Sequence, residues 1–343
     1  MRKNGALERM LVAVLLAFAG GCRLCEGDCA AKTDAEGFVR FDGRIPAEPP
    51  SEYFILRFER PDGVHEKGWK KGLTKWLFTE VRCLNDGVTM VEDGVLSVPK
   101  RKVAPKNWAK WIRSGARNIR VKFVDADYRL SEDGRVDAPA GFAPMFNGKD
   151  FEGWQGAIEE EDEKGPEWRQ ALPPDELRQK QEVADASMRS HWSLRDGIIF
   201  FDGLKGGTSI ATKKHYRNFE MLVDWRLLRV YGDSGLYLHA MSQVQIWDPN
   251  RWGGQGSGGL WNNEKNAYFA MSCEDRPIGD WNTFRIRMVG DKVSVWLNGI
   301  KVVDAVPLEN CWNYDLPIPD CENIQLQCHG DPVEFRNIFI KEL

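Results

Sequence analysis

Long blocks of like charge are missing from this sequence of 343 residues, whose formal net charge at pH 7 is only −4. Nucleic acids and anionic membrane surfaces attract clustered basic residues, so neither is expected to be the main partner. The sequence also has no G-x-S-x-G motif, which argues against the nucleophile elbow of a serine hydrolase. The glycine-rich stretch 253–259 is not followed by Lys and Ser or Thr, so it does not indicate a phosphate-binding loop.

Residues 1–22 have the pattern of a bacterial export signal. A basic start precedes an apolar run from Met10 to Ala19, which at about 10 residues is too short to cross a bilayer. Ala17-Phe18-Ala19 fits ordinary cleavage, whereas Ala19-Gly20-Gly21-Cys22 resembles a lipobox with Ala in place of the usual Leu. Both alternatives stay open, and both predict an exported protein, in the periplasm or at the cell surface. Lipidation at Cys22 would make it an outer-membrane lipoprotein, with the lipid anchor as its contact with the membrane.

The remaining chain divides by composition. Residues 23–50 are polar and contain proline, which predicts a tether. Residues 51–137 consist of short β-patterned runs separated by Asp-Gly turns, which predict a smaller β-rich region of unknown role. A linker of small residues and proline follows, and residues 141–343 form the main domain. The sequence leaves the oligomeric state and the pairing of its eight cysteines open.

Helical spacing occurs once in the main domain, from Asp175 to Ser190, after two prolines. From His191 onward, runs such as Phe219 to Leu227 alternate apolar and polar residues, and Asn298-Gly299 is a strong hairpin signal. Many short antiparallel strands at this spacing predict an all-β sandwich or jelly roll with one inserted helix.

A polar and aromatic face is predicted on three of these strands. The runs Leu236 to Met241, Gln243 to Trp247 and Ile324 to His329 alternate apolar residues with another set. That set comprises Tyr237, His239, Gln243, Gln245, Trp247, Gln325, Gln327 and His329. Sugars need donors and acceptors for their hydroxyls and aromatic groups for their ring faces, so the set favours a sugar-binding surface. The alternative is an outer sheet face that is polar because it meets water.

Candidate reacting groups lie on or next to this face. His239 and His329 could act as acid and base, or bind a metal with Asp248, which could also begin an Asp-Pro turn. Trp261, Asn262 and Asn263 are expected in a loop that closes over a ligand or simply forms a turn. An ordinary glycosidase needs two carboxyl groups at a fixed separation, and the predicted face supplies at most one. Residues 159–164 are expected to form a solvated acidic turn, and residues 232–235 a turn.

A series of motifs then identifies a family resemblance over residues 141–343. The motifs are Phe146-Asn147-Gly148-Lys149-Asp150, His191-Trp192-Ser193-Leu194-Arg195-Asp196-Gly197, Gly232-Asp233-Ser234-Gly235-Leu236-Tyr237-Leu238, Gln243-Val244-Gln245-Ile246-Trp247-Asp248-Pro249, Gly256-Ser257-Gly258-Gly259-Leu260-Trp261-Asn262-Asn263 and Leu326-Gln327-Cys328-His329-Gly330. In this order they resemble the 3-keto-disaccharide hydrolase domain. The resemblance implies a concanavalin A-like antiparallel jelly roll that is exported and cleaves glycosides already oxidised to a ketone at C3.

The chemistry implied by the resemblance needs one base rather than two carboxylates. A ketone at C3 acidifies the C2 proton, a base removes it, the C1 substituent leaves, and water adds. His239, Asp248 and His329 are then the candidates for base or ligand of a divalent metal, and three glutamines are the donors that stabilise the enolate, namely Gln243, Gln245 and Gln327. No other cofactor is implied, and the substrate is a glycoside or oligosaccharide.

The chain departs from the family pattern at two places. Many members carry Glu where this chain has Gln243, and members often have Arg-Gly where this chain has His239-Ala240. These departures leave a second interpretation open, namely a non-catalytic jelly roll that binds carbohydrate.

Overall fold

The structure, a computed structural model, describes residues 38–40, 54–61, 76–84, 87–92, 95–101, 116–123, 136–159 and 165–343. The predicted signal at residues 1–22, with Cys22, lies outside this part, as does the predicted tether apart from residues 38–40. The chain forms two compact units, Met1–Tyr128 and Arg129–Leu343. Within the described ranges, no helix has the length and apolar character needed to cross a membrane.

The first unit contains one antiparallel sheet of six strands. They are β1 (Val39–Arg40), β2 (Phe54–Pro61), β3 (Trp76–Leu84), β4 (Gly87–Glu92), β5 (Val95–Arg101) and β6 (Arg117–Phe123), in the spatial order β1-β6-β2-β3-β4-β5. Alternate residues of β2 pack with β3 and β6 in an apolar cluster that includes Phe54, Leu56, Phe58 and Val81. Side chains on a strand alternate between faces, so the same strand turns Arg57 the other way, where it pairs with Glu80 at 2.6 Å.

The second unit holds the remaining elements. They are β7 (Ala143–Pro144), β8 (Trp154–Gly156), α1 (Pro166–Gln170), α2 (Pro174–His191), β9 (Trp192–Arg195), β10 (Ile198–Phe201), β11 (Ile210–Thr212), β12 (Phe219–Leu227), β13 (Asp233–Tyr237), β14 (Gln243–Trp247), β15 (Leu260–Trp261), β16 (Asn282–Val289), β17 (Lys292–Leu297), β18 (Ile300–Pro307), β19 (Gln325–Leu326) and β20 (Val333–Glu342). The inserted helix is therefore confirmed as α2, and the five-residue α1 precedes it.

Two antiparallel sheets make the second unit an all-β sandwich, as predicted. The first, here called the long sheet, has the order β18-β17-β16-β12-β20-β10-β9, with β7 paired to β20. The second, here called the site sheet, has the order β15-β14-β13-β19-β11-β8. The loop that leads into β15 of the site sheet packs closely on the long sheet at Gly258, where a Cβ atom would lie 2.8 Å from the side chain of Val302 on β18.

Burial follows the residue alternation differently in the two sheets. On β16 of the long sheet, Phe284, Ile286 and Met288 are fully buried, and the residues between them are exposed. On β14 of the site sheet, Val244 and Ile246 face the core, and the intervening Gln243 and Gln245 are buried as well. A buried amide that lacks a hydrogen-bond partner costs the fold about 1–3 kcal/mol. A sheet face that buries several amides therefore indicates a candidate functional site.

Candidate active site

The polar face of the site sheet brings together side chains from four strands. Cross-strand pairs place Tyr237 opposite Gln243, Gly235 opposite Gln245, and Asp233 opposite Trp247. Directly paired residues of antiparallel strands point to the same face. Gln243 is also paired with Trp261 of β15, and the N–H of Gln327, just after β19, donates to the carbonyl of Gly235. We call this surface the floor, and it comprises Asp233, Gly235, Tyr237, Gln243, Gln245, Trp247, Trp261 and Gln327.

A chain of amides crosses the floor and ends at a carboxylate. Nε2 of Gln245 donates to Oδ1 of Asp233 at 2.6 Å, and Nε2 of Gln243 donates to Oε1 of Gln245. An ionised carboxylate only accepts hydrogen bonds, so Asp233 fixes which way both amides point. The Oε1 atom of Gln243 is therefore the acceptor at the end of this amide series that lies farthest from Asp233.

A second amide oxygen, from Gln327, lies beside Gly235 as the Gln243 oxygen does. Nε2 of Gln327 donates to the Tyr237 hydroxyl at 2.7 Å, and its Oε1 atom, like that of Gln243, accepts no hydrogen bond within the described residues. A Cβ at Gly235 would lie 3.2 Å from each of these two oxygens and 3.0 Å from Cδ of Gln243. Only glycine therefore leaves both amides in place at this point of the floor.

At the end of the floor, His329 faces Asp233. Its Nδ1 lies 3.8 Å from Oδ2 of Asp233, and 45% of the His329 side chain is exposed, compared with 9% for Asp233. The guanidinium of Arg251 lies 3.4 Å from the same Asp233 oxygen. The backbone N–H of Asp233 donates to Asp331, which in turn accepts from Arg229 at 3.1 Å. This arrangement holds an imidazole at the surface of the site with a buried carboxylate behind it.

The pKa values of the two carboxyls in this cluster are raised. For Asp233 the main cause is burial, which the positive charges of His329 and Arg251 and the hydrogen bond from Gln245 oppose. Burial also raises the pKa of Asp331, against the influence of Arg229, Arg251 and His329, whereas the neighbouring Asp233 charge adds to the rise. The two close carboxyls are therefore held among arginine side chains, with Arg251 close to both and Arg229 beside Asp331.

Tyr237 is a neutral hydrogen-bond donor on the floor. Burial raises the pKa of its phenol, and the charge of Glu159 raises it further, outweighing the hydrogen bond from Gln327. Because the Gln327 amide already donates to the phenol oxygen, the O–H of Tyr237 is left to donate in another direction. A phenol that stays protonated can stabilise developing negative charge on a ligand oxygen.

Glu159 begins the predicted solvated acidic turn, of which residues 160–164 lie outside the described residues, and it is exposed as that prediction expects. Its side chain is accessible to solvent, yet protein surrounds the carboxyl closely enough that burial raises its pKa. Oε1 accepts the backbone N–H of Ser209 at 3.2 Å. The residue lines a cleft of about 460 Å³ between α2 and residues 206–208, and its charge also raises the pKa of Tyr237. Glu159 is therefore a carboxyl of the cleft beside α2, and its charge is felt at Tyr237.

The prediction that His239 shares the face of the glutamines is wrong. Strand β13 ends at Tyr237, and His239 and Ala240 both have a φ of 53°, so the alternation of the strand does not continue to them. Nδ1 of His239 lies 2.9 Å from the carbonyl of Pro319, and Nε2 lies 3.1 Å from that of Arg217. Its ring lies beside Phe219 of the long sheet, with centroids 6.2 Å apart. The imidazole therefore joins backbone segments instead of facing the floor.

Asp248 adopts the turn arrangement that the sequence left open. Its Oδ1 accepts the N–H of Asn250 at 3.0 Å, and its Oδ2 accepts the N–H of Tyr231 at 2.9 Å. Oδ1 thus caps the 3-10 turn Pro249–Trp252, Oδ2 holds the backbone before β13, and the residue is 1% exposed. No oxygen of Asp248 is turned toward a ligand in this arrangement.

The remaining predicted residues are divided between the floor and its supporting loops. Trp247 and Trp261 lie on the floor in edge-to-face contact, with ring centroids 5.3 Å apart. The Asn263 amide bonds the backbone of Pro307 and Glu309, and the Asn262 carbonyl accepts the Tyr314 hydroxyl. The asparagines therefore hold a turn. In the part of the chain that the structure describes, no three His, Cys, Asp or Glu side chains form a group suited to a metal ion.

Sequence reasoning missed Asp233, which was assigned to a turn. Its position could be inferred from Tyr237, because alternate residues of a strand lie on the same face. If the strand that contains Tyr237 begins four residues earlier, Gly235 and Asp233 lie on the same face as Tyr237. The register of β13 with β14 confirms that extension. The sequence around Glu159 did not indicate a functional role, because acidic residues in a run are usually exposed to solvent.

Comparisons with known proteins identify the family of the second unit. The family model of the 3-keto-alpha-glucoside-1,2-lyase-like domain matches residues 141–341. A 3-keto-disaccharide hydrolase from Bacteroides thetaiotaomicron is 23% identical over 262 residues, or 61% of this chain and 80% of that protein. A crystal structure of a candidate glycosyl hydrolase from Parabacteroides distasonis is 24% identical with a TM-score of 0.42, covering 59% of this chain and 94% of the other. A second such structure from that organism is 23% identical with a TM-score of 0.40, covering 59% and 99%. By its matched region, the chain belongs to the 3-keto-alpha-glucoside-1,2-lyase-like domain family and is a carbohydrate-active protein.

Proposed function

We propose that this protein cleaves 3-keto-glycosides by elimination across C1 and C2 followed by hydration, with His329 as the base. The observation that supports this most directly is the His329–Asp233 pair at the end of a covered polar floor, at 3.8 Å. A partly exposed imidazole with a buried carboxylate behind it is a common arrangement for a general base.

The steps balance without an oxidant or reductant. His329 takes the proton from C2, and the electron pair of that C–H bond forms an enolate with the C3 ketone. When the enolate collapses, the C1–O bond breaks, its electrons leave with the aglycone oxygen, and a C1=C2 double bond remains. The aglycone oxygen takes up one proton. Water then adds its oxygen to C1 and a proton to C2, which yields the free 3-keto sugar and the free aglycone.

Asp233 acts as a positioning residue in this proposal. Its carboxylate faces Nδ1 of His329, so it favours the tautomer that carries a proton on Nδ1 and leaves Nε2 free to accept one. Hydrogen bonds of this kind are often long before a ligand binds and shorten in the complex. Asp233 also fixes the orientation of the Gln245 and Gln243 amides.

Tyr237 and Glu159 supply the remaining groups. The neutral phenol of Tyr237 donates its O–H to the C3 oxygen as negative charge develops there. Glu159, which lines the cleft beside α2 and whose carboxyl pKa is raised by burial, is our candidate for the group that protonates the leaving oxygen. The amide oxygens of Gln243 and Gln327 next to Gly235 are buried without a hydrogen-bond partner among the described residues, so O–H groups that reached them would satisfy both.

The test compares oxidised and unoxidised substrates. The wild type is expected to release the aglycone from a 3-keto-glucoside and to leave the parent glucoside intact, because only the ketone acidifies the C2 proton. His329→Ala is expected to lose this release. Cleavage of the parent glucoside at a similar rate would contradict the proposal, and binding of glycosides without any release would favour the carbohydrate-binding alternative.

Export is proposed from residues 1–22 alone. We infer that the chain is directed to the periplasm or cell surface and that Cys22 is the site of a lipid anchor. Fractionation of cells that express the full chain checks this proposal. The wild type is expected with the membranes and Cys22→Ser in the soluble periplasmic fraction; cytoplasmic retention of the wild type would contradict export.

A further inference from the structure

Two buried amide oxygens flank Gly235 in the middle of the floor. They are Oε1 of Gln243 on β14 and Oε1 of Gln327 just after β19, and together with the backbone of Gly235 they form what we call the amide site. We propose that the amide site binds the water molecule that adds to C1 after the aglycone has left. This inference rests on the proposed function and assigns the hydration step to a defined place on the protein.

Both oxygens are buried acceptors. Gln243 is 2% exposed and Gln327 is 6% exposed, and the Oε1 atom of each accepts no hydrogen bond among the described residues. The amide nitrogens are already committed, that of Gln243 to Gln245 and that of Gln327 to the Tyr237 hydroxyl. A buried acceptor without a donor is costly, so the two oxygens favour a ligand that brings hydrogens to them.

The number of hydrogens needed decides which ligand fits. A Cβ atom at Gly235 would lie 3.2 Å from both oxygens, so the two acceptors border one small space. A sugar hydroxyl has one hydrogen to donate, whereas a water molecule has two. An ammonium group also has enough hydrogens, but burying its charge against neutral amides is unfavourable. Water is therefore the ligand that matches the amide site.

The amide site lies between the two groups that act on the sugar ring. Asp233, Gly235 and Tyr237 are alternate residues of β13 and share the floor, which puts Gly235 about 7 Å along the strand from each of the other two. His329 takes the C2 proton at the Asp233 end, and the Tyr237 phenol holds the C3 oxygen at the other. A ring that reaches both groups covers Gly235, and its C1, bonded to C2, lies within reach of a water held there.

The addition balances with water alone. Hydrogen bonds to the two amide oxygens hold the water by its hydrogens and leave its lone pairs directed at the sugar. The water oxygen forms a bond to C1, and the C1=C2 electrons form an enolate with the C3 ketone. The added oxygen loses one proton to solvent, and C2 takes up one proton from solvent as the enolate collapses. Holding the water in place supplies the orientation that this step needs.

The test measures the ratio of unsaturated to hydrated 3-keto sugar at early times after release of the aglycone. The wild type is expected to form the hydrated sugar in step with the aglycone. Gly235→Ala fills the amide site with a methyl group, and Gln327→Leu removes one acceptor. Both are expected to raise the ratio at least about tenfold while aglycone release continues. Gln170→Leu, on α1, where the amide bonds Glu322, is the control and is expected to keep the wild-type ratio.

A second arm supplies the unsaturated 3-keto sugar directly, so that hydration is measured without cleavage. The wild type is expected to hydrate it faster than buffer does, and Gly235→Ala at about the buffer rate; Gln327→Leu decides the test if Gly235→Ala does not fold. If the wild type cleaves no 3-keto-glycoside but hydrates this compound, and the variants do not, the proposed cleavage fails and the amide site stands. If the folded variants keep the wild-type ratio, or the wild type does not accelerate hydration, the amide site holds a structural water only and the proposal is overturned.

Discussion

Nδ1 of His329 lies 3.8 Å from Oδ2 of Asp233, and this contact connects the exposed end of the floor to its buried amide chain. The same carboxylate accepts the Gln245 amide through its other oxygen. One acidic side chain thus orients both the imidazole and the glutamines. Two strands supply this connection, because Asp233 begins β13 and His329 follows β19 by three residues.

His329→Ala is expected to lower kcat for a 3-keto-glycoside about 10²–10⁴-fold, the range for loss of a general base. Asp233→Asn is expected to lower kcat by a smaller factor with little change in KM, because it removes the charge that orients His329 without removing the base. Steady-state kinetics on both variants checks this. The control is Asp224→Asn, on the long sheet, where the carboxylate pairs with Arg336. An Asp233→Asn variant with wild-type kcat would contradict the positioning role.

Tyr237→Phe is expected to lower kcat about 10²-fold, comparable to the loss of one donor from an oxyanion site. The phenol donates only as charge develops on the substrate oxygen, so KM should change little. Tyr314→Phe, which removes a hydroxyl that bonds the backbone of Asn262, is the matched control. If Tyr237→Phe instead raised KM and left kcat unchanged, the hydroxyl would contribute to ground-state binding alone.

His239→Ala and Asp248→Ala are expected to destabilise the fold without altering the chemical step. His239→Ala removes an imidazole hydrogen bond to a partly buried backbone carbonyl, and Asp248→Ala removes the acceptor of two partly buried backbone N–H groups, at a cost of up to about 1–3 kcal/mol per group. Thermal unfolding should show a lower Tm for both variants, and kcat per folded molecule should stay within about twofold of wild type. A loss of kcat as large as that of His329→Ala in a folded variant would place the residue in the reaction.

Asp275→Asn is expected to change the pH dependence of stability. Burial raises the pKa of Asp275 to about 6, against the hydrogen bond from Ser257. The folded state then binds this proton more tightly than the unfolded state, so the free energy of unfolding falls as pH rises from about 4 to about 6. The loss is complete above pH 6 and is at most about 3 kcal/mol.

Urea unfolding at pH 4, 6 and 8 measures this effect. Asp275→Asn should match the wild type at pH 4 and be the more stable protein at pH 8. The exposed Asp291 provides the control variant Asp291→Asn, for which no such difference is expected. A constant difference between Asp275→Asn and wild type at all three pH values would show that the carboxyl titrates alike in both states.

Much of the sandwich could be predicted from local patterns. The alternation on β12, β14 and β16 was visible because each strand has one apolar face packed in the core. The helix α2 followed from its paired prolines and helical spacing, and its observed range is Pro174–His191. On the floor, Gln243, Gln245 and Trp247 came from the same alternation and lie together.

The rest depended on contacts between distant segments. The alternation of Leu236 to Met241 predicts that the strand includes His239, but the backbone turns at positive φ at His239 and Ala240. Positive φ is uncommon for residues other than glycine, so the alternation was the stronger signal. Gly232 to Gly235 has the composition of a turn, yet pairing with β14 makes residues 233–235 strand and places Asp233 on the floor. Glu159 joins the site only because β8 and the loop before β11 come together.

The most direct measurement of the central claim is cleavage in D₂O, followed by NMR at early times. Elimination and hydration predict that the released 3-keto sugar carries deuterium at C2, because solvent supplies the proton that returns to that carbon. The 3-keto sugar incubated without the protein serves as the control for spontaneous exchange. Release of the aglycone with hydrogen retained at C2, or no release from the 3-keto-glycoside at all, would contradict the account.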